Sequence, residues 1–436
     1  MLKTLDKSPV AGKRILLRAA YDITLAKEGG QWIVPDDQRI RATLPTINYL
    51  LNQGCSIVVM GGWIQRPKPG QREDRFKMDP VARRLSELIR KPIVKLDNTV
   101  GPDVDAAIAN LKSGDIIMLE NTRFNEGEQE ADPELARKMA RLGEFAVFDA
   151  FGQSHRTHAS TTGILEYHKQ TCAAGFLMEQ ELLVLQKIVR SPIEPFVVVL
   201  GGVKISDKLG MMQNILDRAQ MILVGGGLAN TFFKAAGYGV GGSLVEGTFV
   251  NQAKGGQKDP LSAARAIFQK TRGKEIPHEL IPDVWPNGER GTISKLQLPL
   301  DVIIGKKNAE GGFANNELII KKVTGPESLC GDEAAILDIG PVTRALYGEI
   351  AKRARTIFWN GPMGLFEDFH FASGTREVAE AIADSNGFSV VGGGDTESVV
   401  TKFRLEGRFG HVSTGGGASL ELLAGEELSV VPYLTV

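Results

Sequence analysis

Short apolar runs, each suited to a buried strand, recur along the chain with helix-like segments between them. In the first third these runs cover residues 15–17, 56–60, 92–96, 115–119 and 144–148. Runs this short suit strands that are buried on both faces of a parallel sheet. Segments 37–53 and 80–88 carry apolar residues at helical spacing, so strands and helices alternate as in βαβ units. The alternation predicts an α/β fold.

A second series of apolar runs differs from the first because each run is followed by Gly or by Asn-Gly. These runs cover residues 196–200, 220–224, 300–304, 356–359 and 388–391. In open parallel sheets the ligand lies beyond the carboxyl ends of the strands, and glycine lets the backbone approach a phosphate closely. The pattern therefore predicts a polyanion site at one edge of this sheet, although tight turns alone would also use glycine.

The length of 436 residues exceeds what one hydrophobic core usually serves, which predicts two domains. We expect an N-terminal lobe over residues 1–172, a hinge helix over 173–190 and a C-terminal lobe over 191–417. Residues 418–436 are expected to pack back on the N-terminal lobe. Residues 248–298, which contain several Gly and Pro residues, are typical of a partly irregular insertion.

Charge and cysteine content narrow the function classes. With 51 basic and 52 acidic residues, the near-zero net charge gives no reason to expect a nucleic-acid or membrane partner. Cys55, Cys172 and Cys330 lie far apart without CxxC spacing, which argues against a disulfide framework and a zinc site. The N-terminus lacks the apolar region of a signal peptide, and no apolar run is long enough to span a membrane. We therefore expect a cytoplasmic protein.

Two common nucleotide signatures fail in this sequence. The Gly-Lys pairs that begin at Gly12, Gly273 and Gly305 are followed by Arg, Glu and Lys, so the chain has no P-loop. Residues 237–242 match GxGxxG, but they follow a helix-like segment and not a strand. A dinucleotide-binding site is therefore disfavoured, and with it an NAD-dependent dehydrogenase.

A less common set of glycine-rich segments carries a family resemblance. Residues 201–208, Gly-Gly-Val-Lys-Ile-Ser-Asp-Lys, resemble the GGAKVxDK segment of phosphoglycerate kinases. Further segments of that family are resembled, in the family's order, by residues 225–232, 359–367, 392–396 and 411–419. The resemblance covers nearly the whole chain and implies two doubly wound, Rossmann-like parallel-sheet lobes joined by a hinge helix. It also implies a monomeric kinase that binds ATP or ADP with Mg²⁺ on the C-terminal lobe and an anionic carboxylate substrate on the N-terminal lobe.

Phosphoryl transfer needs positively charged groups, because the transition state spreads negative charge over the phosphoryl oxygens. Lys204 and Lys208 would share one face if a helix begins after Gly202, although they could also be solvated surface lysines. Asp395, after a glycine run, is the candidate Mg²⁺ ligand. Residues 414–417 are predicted to form a helix N-terminus that favours anions. By resemblance the nucleotide-binding residues are Gly202, Lys204, Lys208, Gly226, Gly227, Asn360, Glu367, Gly393, Gly394, Asp395 and Thr396.

Three of these nucleotide-binding residues have more specific expected roles. By resemblance Glu367 binds the ribose hydroxyls and Asn360 binds the phosphates. The hydroxyl of Thr396 can donate a hydrogen bond to the same phosphates. Glu367 taken alone could equally be a surface carboxylate.

Five arginines stand at positions where the family keeps arginine. They are Arg18, Arg39, Arg66, Arg123 and Arg156. Guanidinium groups bind phosphate or carboxylate in a bidentate manner, so arginines that converge would form a local anion site. By resemblance these five residues and Asp22 bind the acceptor, and Arg39 bridges the acceptor carboxylate and the transferring phosphoryl group. The catalytic set implied by the resemblance is Arg39, Lys204, Gly394 and Gly417.

The N-terminal lobe departs from the family pattern at three positions. The family's Arg-Val-Asp-Phe-Asn appears as Arg-Ala-Ala-Tyr-Asp at residues 18–22. Ala20 therefore replaces the carboxylate expected to hold the acceptor's 2-hydroxyl, and Asp22 replaces an amide. The family's Ser-His-Leu-Gly-Arg-Pro appears as Gly-Gly-Trp-Ile-Gln-Arg-Pro at residues 61–67, with Trp63 and no histidine. Loss of one hydrogen bond to a charged partner costs about 1.5–3 kcal/mol.

These departures leave three interpretations open. In the first, they are tolerated changes in an enzyme that converts 3-phosphoglycerate and ATP to 1,3-bisphosphoglycerate and ADP. In the second, Trp63 and its neighbours reshape the pocket for a different phospho- or phosphonocarboxylate. In the third, the chain is a non-catalytic ATP-binding relative, although Arg39, Lys204 and Asp395 all remain.

Overall fold

The chain forms two compact units in a computed structural model that describes residues 1–247, 249–250, 257–283, 293–308, 312–313 and 318–436. Unit 1 comprises Met1–Val184 and Glu427–Val436, and unit 2 comprises Leu185–Glu426. The C-terminal end of the chain thus returns to unit 1 at residue 427, so the expected boundary at residue 418 is too early. Within unit 1, the backbone N–H of Val430 donates to the carbonyl oxygen of Ser154 at 3.2 Å.

Unit 1 is built on a six-stranded parallel sheet with helices between the strands. Its strands are β1 (Arg14–Ala19), β2 (Ala26–Glu28), β3 (Gln31–Ile33), β4 (Ser56–Met60), β5 (Val94–Lys95), β6 (Ile116–Met118), β7 (Phe145–Asp149) and β8 (Cys172–Ala174). Its helices are α1 (Gln38–Ala42), α2 (Leu44–Asn52), α3 (Asp79–Ile89), α4 (Pro102–Ala109), α5 (Pro133–Ala140), α6 (Ile164–Tyr167) and the start of α7 (Phe176–Arg190). The sheet order is β5-β6-β4-β1-β7-β8, and β2 and β3 form a separate antiparallel pair.

Strand β1 lies inside this sheet because every residue after Arg14 in it is buried, as a strand covered on both faces requires. In register, Arg18 of β1 lies opposite Met60 of β4 and Phe148 of β7. These parallel strands end at the same edge of the sheet, so the segments that follow them emerge there together.

Unit 2 repeats this architecture and adds a smaller antiparallel sheet. Its strands are β9 (Phe196–Leu200), β10 (Met221–Val224), β11 (Phe249–Val250), β12 (Gln257–Lys258), β13 (Leu296–Gln297), β14 (Asp301–Lys306), β15 (Ile319–Lys322), β16 (Ala334–Ile339), β17 (Thr356–Asn360), β18 (Phe388–Gly392) and β19 (His411–Val412). Its helices are α8 (Leu209–Ile215), α9 (Gly226–Ala235), α10 (Pro260–Thr271), α11 (Pro341–Arg353), α12 (Ser373–Ala383), α13 (Gly394–Lys402) and α14 (Gly416–Leu423). The parallel sheet has the order β13-β10-β9-β17-β18-β19, and the antiparallel sheet has the order β15-β14-β16.

The predicted α/β fold with parallel sheets is confirmed in both units, but some element boundaries differ. Residues 37–53 form two helices that meet at Thr43, and Pro45 lies in the first turn of α2, where its missing N–H is tolerated. Helix α7 begins at Phe176 and not at residue 173, because residues 172–174 pair with β7 as strand β8. The hinge role of α7 stays a prediction.

Two expectations for unit 2 also need correction or completion. The run 300–304 lies mostly in β14, which pairs antiparallel with both neighbours and does not join the parallel sheet. An apolar run alone does not distinguish these two environments. The predicted insertion at 248–298 contains helix α10, whose Phe268 ring packs edge-on against Phe232 of α9. Residues 248, 251–256 and 284–292 lie outside the described residues.

Candidate active site

The glycine-rich turns of unit 2 follow adjacent strands of the parallel sheet. Leu200 at the end of β9 pairs in register with Val224 of β10 and with Asn360 of β17. Asn360 in turn pairs with Gly392 at the end of β18. The glycines that gather at this edge are Gly201, Gly202, Gly225, Gly226, Gly227, Gly361, Gly393 and Gly394.

Several of these glycines are required because backbone segments touch each other there. A Cβ atom on Gly201 would lie 2.0 Å from the carbonyl oxygen of Pro362, and one on Gly226 would lie 2.9 Å from the backbone nitrogen of Gly202. A Cβ atom on Gly394, in contrast, would meet nothing within 4 Å. Packing therefore explains some of the glycines, whereas Gly394 borders open space.

A cavity of about 590 Å³ lies at this edge of unit 2. Its lining includes the glycine turns at Gly202, Gly226 and Gly227 and the carboxylate residues Glu367 and Asp395. Its apolar wall comes mainly from the antiparallel sheet and includes Val302, Phe313, Ile336, Leu337 and Ile339. An apolar wall beside glycine turns and helix N-termini suits a ligand with a flat apolar ring at one end and an anionic group at the other.

The two predicted lysines do not share a helix face. After Gly202 the chain turns, and helix α8 begins only at residue 209 with Lys208 as its N-cap residue. Lys204 is exposed, whereas Lys208 is buried. The condition for a shared face, a helix that begins directly after Gly202, is therefore not met, because these residues form turns and not helix.

Lys208 is the lysine that lies against the glycine turn. A Cβ atom on Gly202 would lie 3.6 Å from Lys208 Nζ. Burial lowers the pKa of Lys208, while the negative charges of Asp207, Asp395 and Glu246 act in the opposite direction. A partly desolvated ammonium group close to the cavity is a strong partner for an anionic ligand.

Two polar side chains brace the strand ends from inside. Asn360 Nδ2 donates to the carbonyl oxygen of Gly392 at 2.7 Å, and Thr396 Oγ1 donates to the same oxygen at 2.9 Å. The backbone N–H of Gly361 donates to Thr396 Oγ1 at 2.7 Å. The buried hydroxyl of Thr396 therefore uses its proton within the protein, so it does not offer that proton to a phosphate as predicted.

Asp395 is the residue that fits a divalent cation. It is exposed, lies in the first turn of α13 and lines the cavity. Mg²⁺ prefers oxygen ligands and is usually bound through one or two carboxylates together with phosphate oxygens. Within the part of the chain that the structure describes, no group of three or more His, Cys, Asp or Glu side chains could hold a metal ion.

Helix α14 begins at Gly416, in agreement with the helix N-terminus predicted for residues 414–417. A Cβ atom on Gly416 would lie 3.3 Å from the Cα atom of Gly393, so the N-termini of α13 and α14 are adjacent. The first N–H groups of a helix lack intrahelical partners and favour anions. Gly417 is exposed at this point.

In unit 1, Arg18 is fully buried at the end of β1 and is held by several acceptors. Its Nε donates to the carbonyl oxygen of Ser160 at 2.8 Å, and its other nitrogens donate to the carbonyl of Ala19 and the side-chain carbonyl of Gln153. Gly62, at φ 77°, gives it room, because a Cβ atom there would lie 2.7 Å from Arg18 Nη1. Burial lowers the pKa of Arg18 to about 10. Arg18 therefore lies beneath the surface of the site and is bound by groups of the protein itself.

Arg39 projects from α1 and pairs with Asp22, which follows β1. Arg39 Nη1 lies 2.6 Å from Asp22 Oδ1. The hydroxyls of Tyr21 and Thr43 lie 2.7 Å apart, which fastens the segment after β1 to the start of α2. Burial raises the pKa of Asp22, and the charges of Arg39 and Arg18 partly oppose that shift. The predicted acceptor residues Arg39 and Asp22 are thus brought together as an ion pair.

Trp63 is buried between several cationic and aromatic side chains. Arg123 Cζ lies 4.6 Å from its ring centroid, and Arg18 Cζ lies 5.5 Å away. The His158 ring lies 5.1 Å from the Trp63 ring. Guanidinium groups are attracted to the face of an indole ring, so Trp63 helps to fix the orientation of Arg123.

Arg123 is close to the two exposed predicted arginines, Arg66 and Arg156. The positive charges of Arg66 and Arg156 reinforce the burial that lowers the pKa of Arg123. Arg123 Nη1 donates to Gln129 Oε1 at 2.7 Å. The three cations are therefore close enough for their charges to interact, while the nearby carboxylate of Glu128 opposes their effect on the pKa of Arg123. The role of these arginines in binding an anion stays a prediction.

Buried polar atoms without a hydrogen-bond partner among the described residues gather in the same region. They are Thr122 Oγ1, Arg123 Nε, Gln153 Nε2, His155 Nδ1 and His158 Nδ1. Leaving such groups unpaired is costly, so a group of them marks a place for a polar ligand or water. Burial and the neighbouring arginines lower the pKa of His158 to about 4, which keeps this imidazole neutral beside the cations.

Comparison with known proteins identifies the family. The family model described as phosphoglycerate kinase matches residues 5–426. The chain belongs to the phosphoglycerate kinase family. It is 40% identical over 432 residues to the phosphoglycerate kinase of Pelotomaculum thermopropionicum, covering 99% of this chain and 98% of that relative. It is 43% identical over 423 residues to that of Rubrobacter xylanophilus, covering 97% and 95%.

Solved structures of phosphoglycerate kinases share the fold. The enzyme from Coxiella burnetii is 35% identical, with a TM-score of 0.76 over 100% of this chain and 99% of that chain. The enzyme from Pyrococcus horikoshii OT3 is 30% identical, with a TM-score of 0.77 over 99% and 98%. As a member of the phosphoglycerate kinase family, the chain is a kinase. No helix in its described residues is long and apolar enough to cross a membrane.

Sequence reasoning about this phosphoglycerate kinase family member missed residues in both units. In unit 2 it missed the antiparallel sheet that walls the cavity, because strands β15 and β16 were not predicted. In unit 1 it missed Gln153 and Ser160, which hold Arg18, and His158, whose ring packs at a tilt against Trp63. Position was the signal for Gln153, since it lies three residues before the predicted acceptor residue Arg156.

Proposed function

We propose that the chain catalyses ATP-dependent phosphoryl transfer to the carboxylate of 3-phosphoglycerate, giving 1,3-bisphosphoglycerate and ADP. The observation that carries this proposal is the phosphoglycerate kinase family match over residues 5–426. Both sites support it independently. Unit 2 offers a cavity suited to a ring and an anion, and unit 1 offers a cluster of arginines suited to an anionic acid.

For the nucleotide, the apolar wall and the turns at Gly226 and Gly227 would hold the base, with Glu367 placed at the ribose. The adjacent N-termini of α13 and α14 and the Lys208 ammonium would hold the phosphates. Asp395 would hold Mg²⁺, which when bound neutralises charge on the phosphates. Carboxylate chemistry, exposure and position in the cavity lining support this role for Asp395.

For the acceptor, Arg66, Arg123 and Arg156 would bind the phosphate, and Arg39 would bind the carboxylate. A carboxylate oxygen attacks the γ-phosphorus in line, the bond from that phosphorus to the bridging oxygen breaks, and ADP leaves with the electron pair. Arg39 and Lys204 neutralise the charge that develops on the phosphoryl oxygens. No covalent enzyme intermediate is required.

Because the two substrates are assigned to different units, transfer requires the units to bring them together. We propose that α7 (Phe176–Arg190), which runs across the boundary between the units at residue 185, serves as the hinge. Positioning and exclusion of water after closure would supply most of the rate enhancement. A cytoplasmic, monomeric enzyme is part of the same proposal.

The first test is turnover of Mg-ATP with 3-phosphoglycerate. Turnover is measured as ADP release while hydroxylamine traps the acyl phosphate. Trapping is needed because the equilibrium opposes formation of the acyl phosphate. Phosphonocarboxylates and a phosphorylated acid without the 2-hydroxyl are tested in parallel.

We expect a kcat/KM with 3-phosphoglycerate of about 10⁴ M⁻¹s⁻¹ or more, which lies in the normal range for enzymes. Weak turnover of 3-phosphoglycerate together with a clear preference for another acid in the panel would contradict the proposed acceptor. It would leave the kinase class in place. Absence of ADP release with every acid would contradict catalysis itself.

A further inference from the structure

The proposed mechanism uses Arg39 but gives no role to the ion pair that Arg39 forms with Asp22 in unit 1. Arg39 Nη1 and Asp22 Oδ1 lie 2.6 Å apart, and the two side chains are 19% and 31% exposed. A carboxylate of the protein therefore occupies one edge of the guanidinium group that is assigned to the acceptor carboxylate. The pair is open enough for a solute to reach, yet close enough for a strong charge-assisted hydrogen bond.

The surrounding structure holds Asp22 in this position. Tyr21, the preceding residue, is fully buried, and its hydroxyl lies 2.7 Å from that of Thr43. The backbone N–H of Tyr21 donates to the carbonyl oxygen of Gly61 at 2.9 Å. Asp22 is thus carried on a segment fixed at both backbone and side chain, so its approach to Arg39 is built into the fold.

We propose that Asp22 is a positioning residue that orients Arg39 in the free enzyme and competes with the acceptor carboxylate for its guanidinium group. This inference rests on the proposed function, because it takes Arg39 as the acceptor's partner. Orientation favours the chemical step, since a guanidinium group that is already placed loses less freedom in the transition state. The negative charge of Asp22 opposes binding of an acidic substrate. Asp22 therefore lowers the affinity for the acceptor while it fixes the orientation of Arg39.

Substitutions at Asp22 separate these two effects. Asp22→Asn keeps an oxygen that can accept from Arg39 but removes the charge, so KM for 3-phosphoglycerate should fall about tenfold while kcat changes less than about threefold. Asp22→Ala removes the acceptor oxygen as well, so kcat should fall about fivefold or more below that of Asp22→Asn. A purely structural role would lower the free energy of unfolding in both variants, but it would not lower KM in Asp22→Asn while leaving kcat nearly unchanged.

Asp37→Asn is the matched control, because Asp37 pairs with arginines other than Arg39. Asp37 is the N-cap residue of α1; its Oδ1 lies 2.7 Å from Arg41 Nε, and its Oδ2 lies 2.7 Å from Arg84 Nη2. Removal of this charge should leave KM for 3-phosphoglycerate within about twofold of wild type. An equal fall in KM in both variants would show a general charge effect and would overturn the proposal.

Binding of 3-phosphoglycerate to each variant, measured by calorimetry without nucleotide, keeps the inference separate from the proposed function. If wild type turns over 3-phosphoglycerate but Asp22→Asn does not bind it more tightly, the inference is wrong and the function stands. If wild type shows no turnover, tighter binding by Asp22→Asn still supports competition for Arg39. Absence of binding by all variants contradicts both.

Discussion

The two candidate sites of this molecule are built from different material. In unit 2 the site is mainly backbone, made of turns that follow β9, β10, β17 and β18 and of the N-termini of α13 and α14. In unit 1 the site is mainly side chains, since Arg18, Arg39, Arg66, Arg123 and Arg156 come from distant segments. A site made of backbone depends on the conformations that the main chain can adopt, whereas a site made of side chains depends on which residues are present.

This difference explains where the sequence keeps and where it departs from the family pattern. Gly201, Gly226 and Gly361 of unit 2 cannot change one at a time, because neighbouring backbone fills the space that a side chain would need. In unit 1 a new side chain can be accommodated when its neighbours adjust, as Trp63 does by stacking on Arg123. Ala20, Asp22 and Trp63 all lie in unit 1.

The largest predicted effect is that of Gly201→Ala, which disrupts the backbone-built site of unit 2. In Gly201→Ala the new Cβ atom would lie 2.0 Å from the carbonyl oxygen of Pro362. The strand ends of β9 and β17 would have to separate, so the free energy of unfolding should fall by about 4 kcal/mol, and Mg-ATP binding should be lost. Urea denaturation and calorimetry measure these two quantities.

Gly394→Ala is the contrast that sharpens this test. A Cβ atom there meets nothing within 4 Å, so stability should stay within about 1 kcal/mol of wild type. Phosphoryl transfer should nevertheless slow, because the methyl group would enter the space assigned to the phosphates. Full activity of Gly394→Ala would remove Gly394 from the catalytic set.

Much of unit 2 could be predicted from the sequence because its constraints are local. A strand that ends in Gly or Asn-Gly is visible as a short run, and Asp395 and residues 414–417 were placed from such runs. Lys204 and Lys208 were misplaced because the turns between Gly202 and α8 carry no pattern that distinguishes them from a helix. The antiparallel wall of the cavity was missed because the apolar run of β14 was assigned to the parallel sheet and its partner β16, which supplies Ile336 to Ile339 of the wall, was not predicted.

Less of unit 1 could be predicted, because its site depends on contacts between segments far apart in the chain. The arginines were found only through family resemblance, and no spacing pattern links Arg18 to its acceptors Gln153 and Ser160. The ion pair of Arg39 with Asp22 depends on how α1 packs beside the segment after β1. Such packing is a tertiary property that a local sequence pattern does not encode.

A second prediction compares charge in the two sites. Lys208→Met removes a buried ammonium group near Asp395, so the dissociation constant of Mg-ATP should rise about 30-fold, equivalent to about 2 kcal/mol. Binding of 3-phosphoglycerate should not change, because Lys208 belongs to unit 2. Calorimetry with each ligand alone makes the comparison. Unchanged Mg-ATP affinity in a folded Lys208→Met protein would contradict the assignment of Lys208 to the phosphates.

A third prediction concerns pH and the side-chain-built site. The pKa of His158 is lowered to about 4 in the folded protein by burial and by neighbouring arginines, from a usual value near 6.5. As the pH falls, His158 therefore takes up its proton in the unfolded chain before it does so in the folded protein. The free energy of unfolding is thus unaffected by protonation of His158 above pH 6.5 and decreases as the pH falls from 6.5 towards 4. At pH 5.5 this loss should be about 1.4 kcal/mol.

The comparison of wild type with His158→Gln isolates this contribution. Urea denaturation at pH 7.5 and pH 5.5 should show a fall in the free energy of unfolding that is smaller in His158→Gln by about 1.3 kcal/mol. Other titrating groups change both proteins equally, so they cancel in the difference. Equal falls in the two proteins would show that His158 takes up its proton normally in the folded state.

The smallest predicted effect tests whether Trp63 orients Arg123. Trp63→Phe keeps an aromatic ring but weakens the attraction for the guanidinium group 4.6 Å away, so KM for the acceptor should rise about threefold. The kcat should be nearly unchanged, because Arg123 is assigned to the acceptor's phosphate and not to the reacting carboxylate. Trp32→Phe is the matched control, since Lys27 Nζ lies 5.8 Å from the Trp32 ring in the β2–β3 hairpin. If Trp63→Phe altered kcat with KM constant, Trp63 would act on the chemical step. The assignment of Trp63 to orienting Arg123 for binding of the acceptor's phosphate would then be wrong.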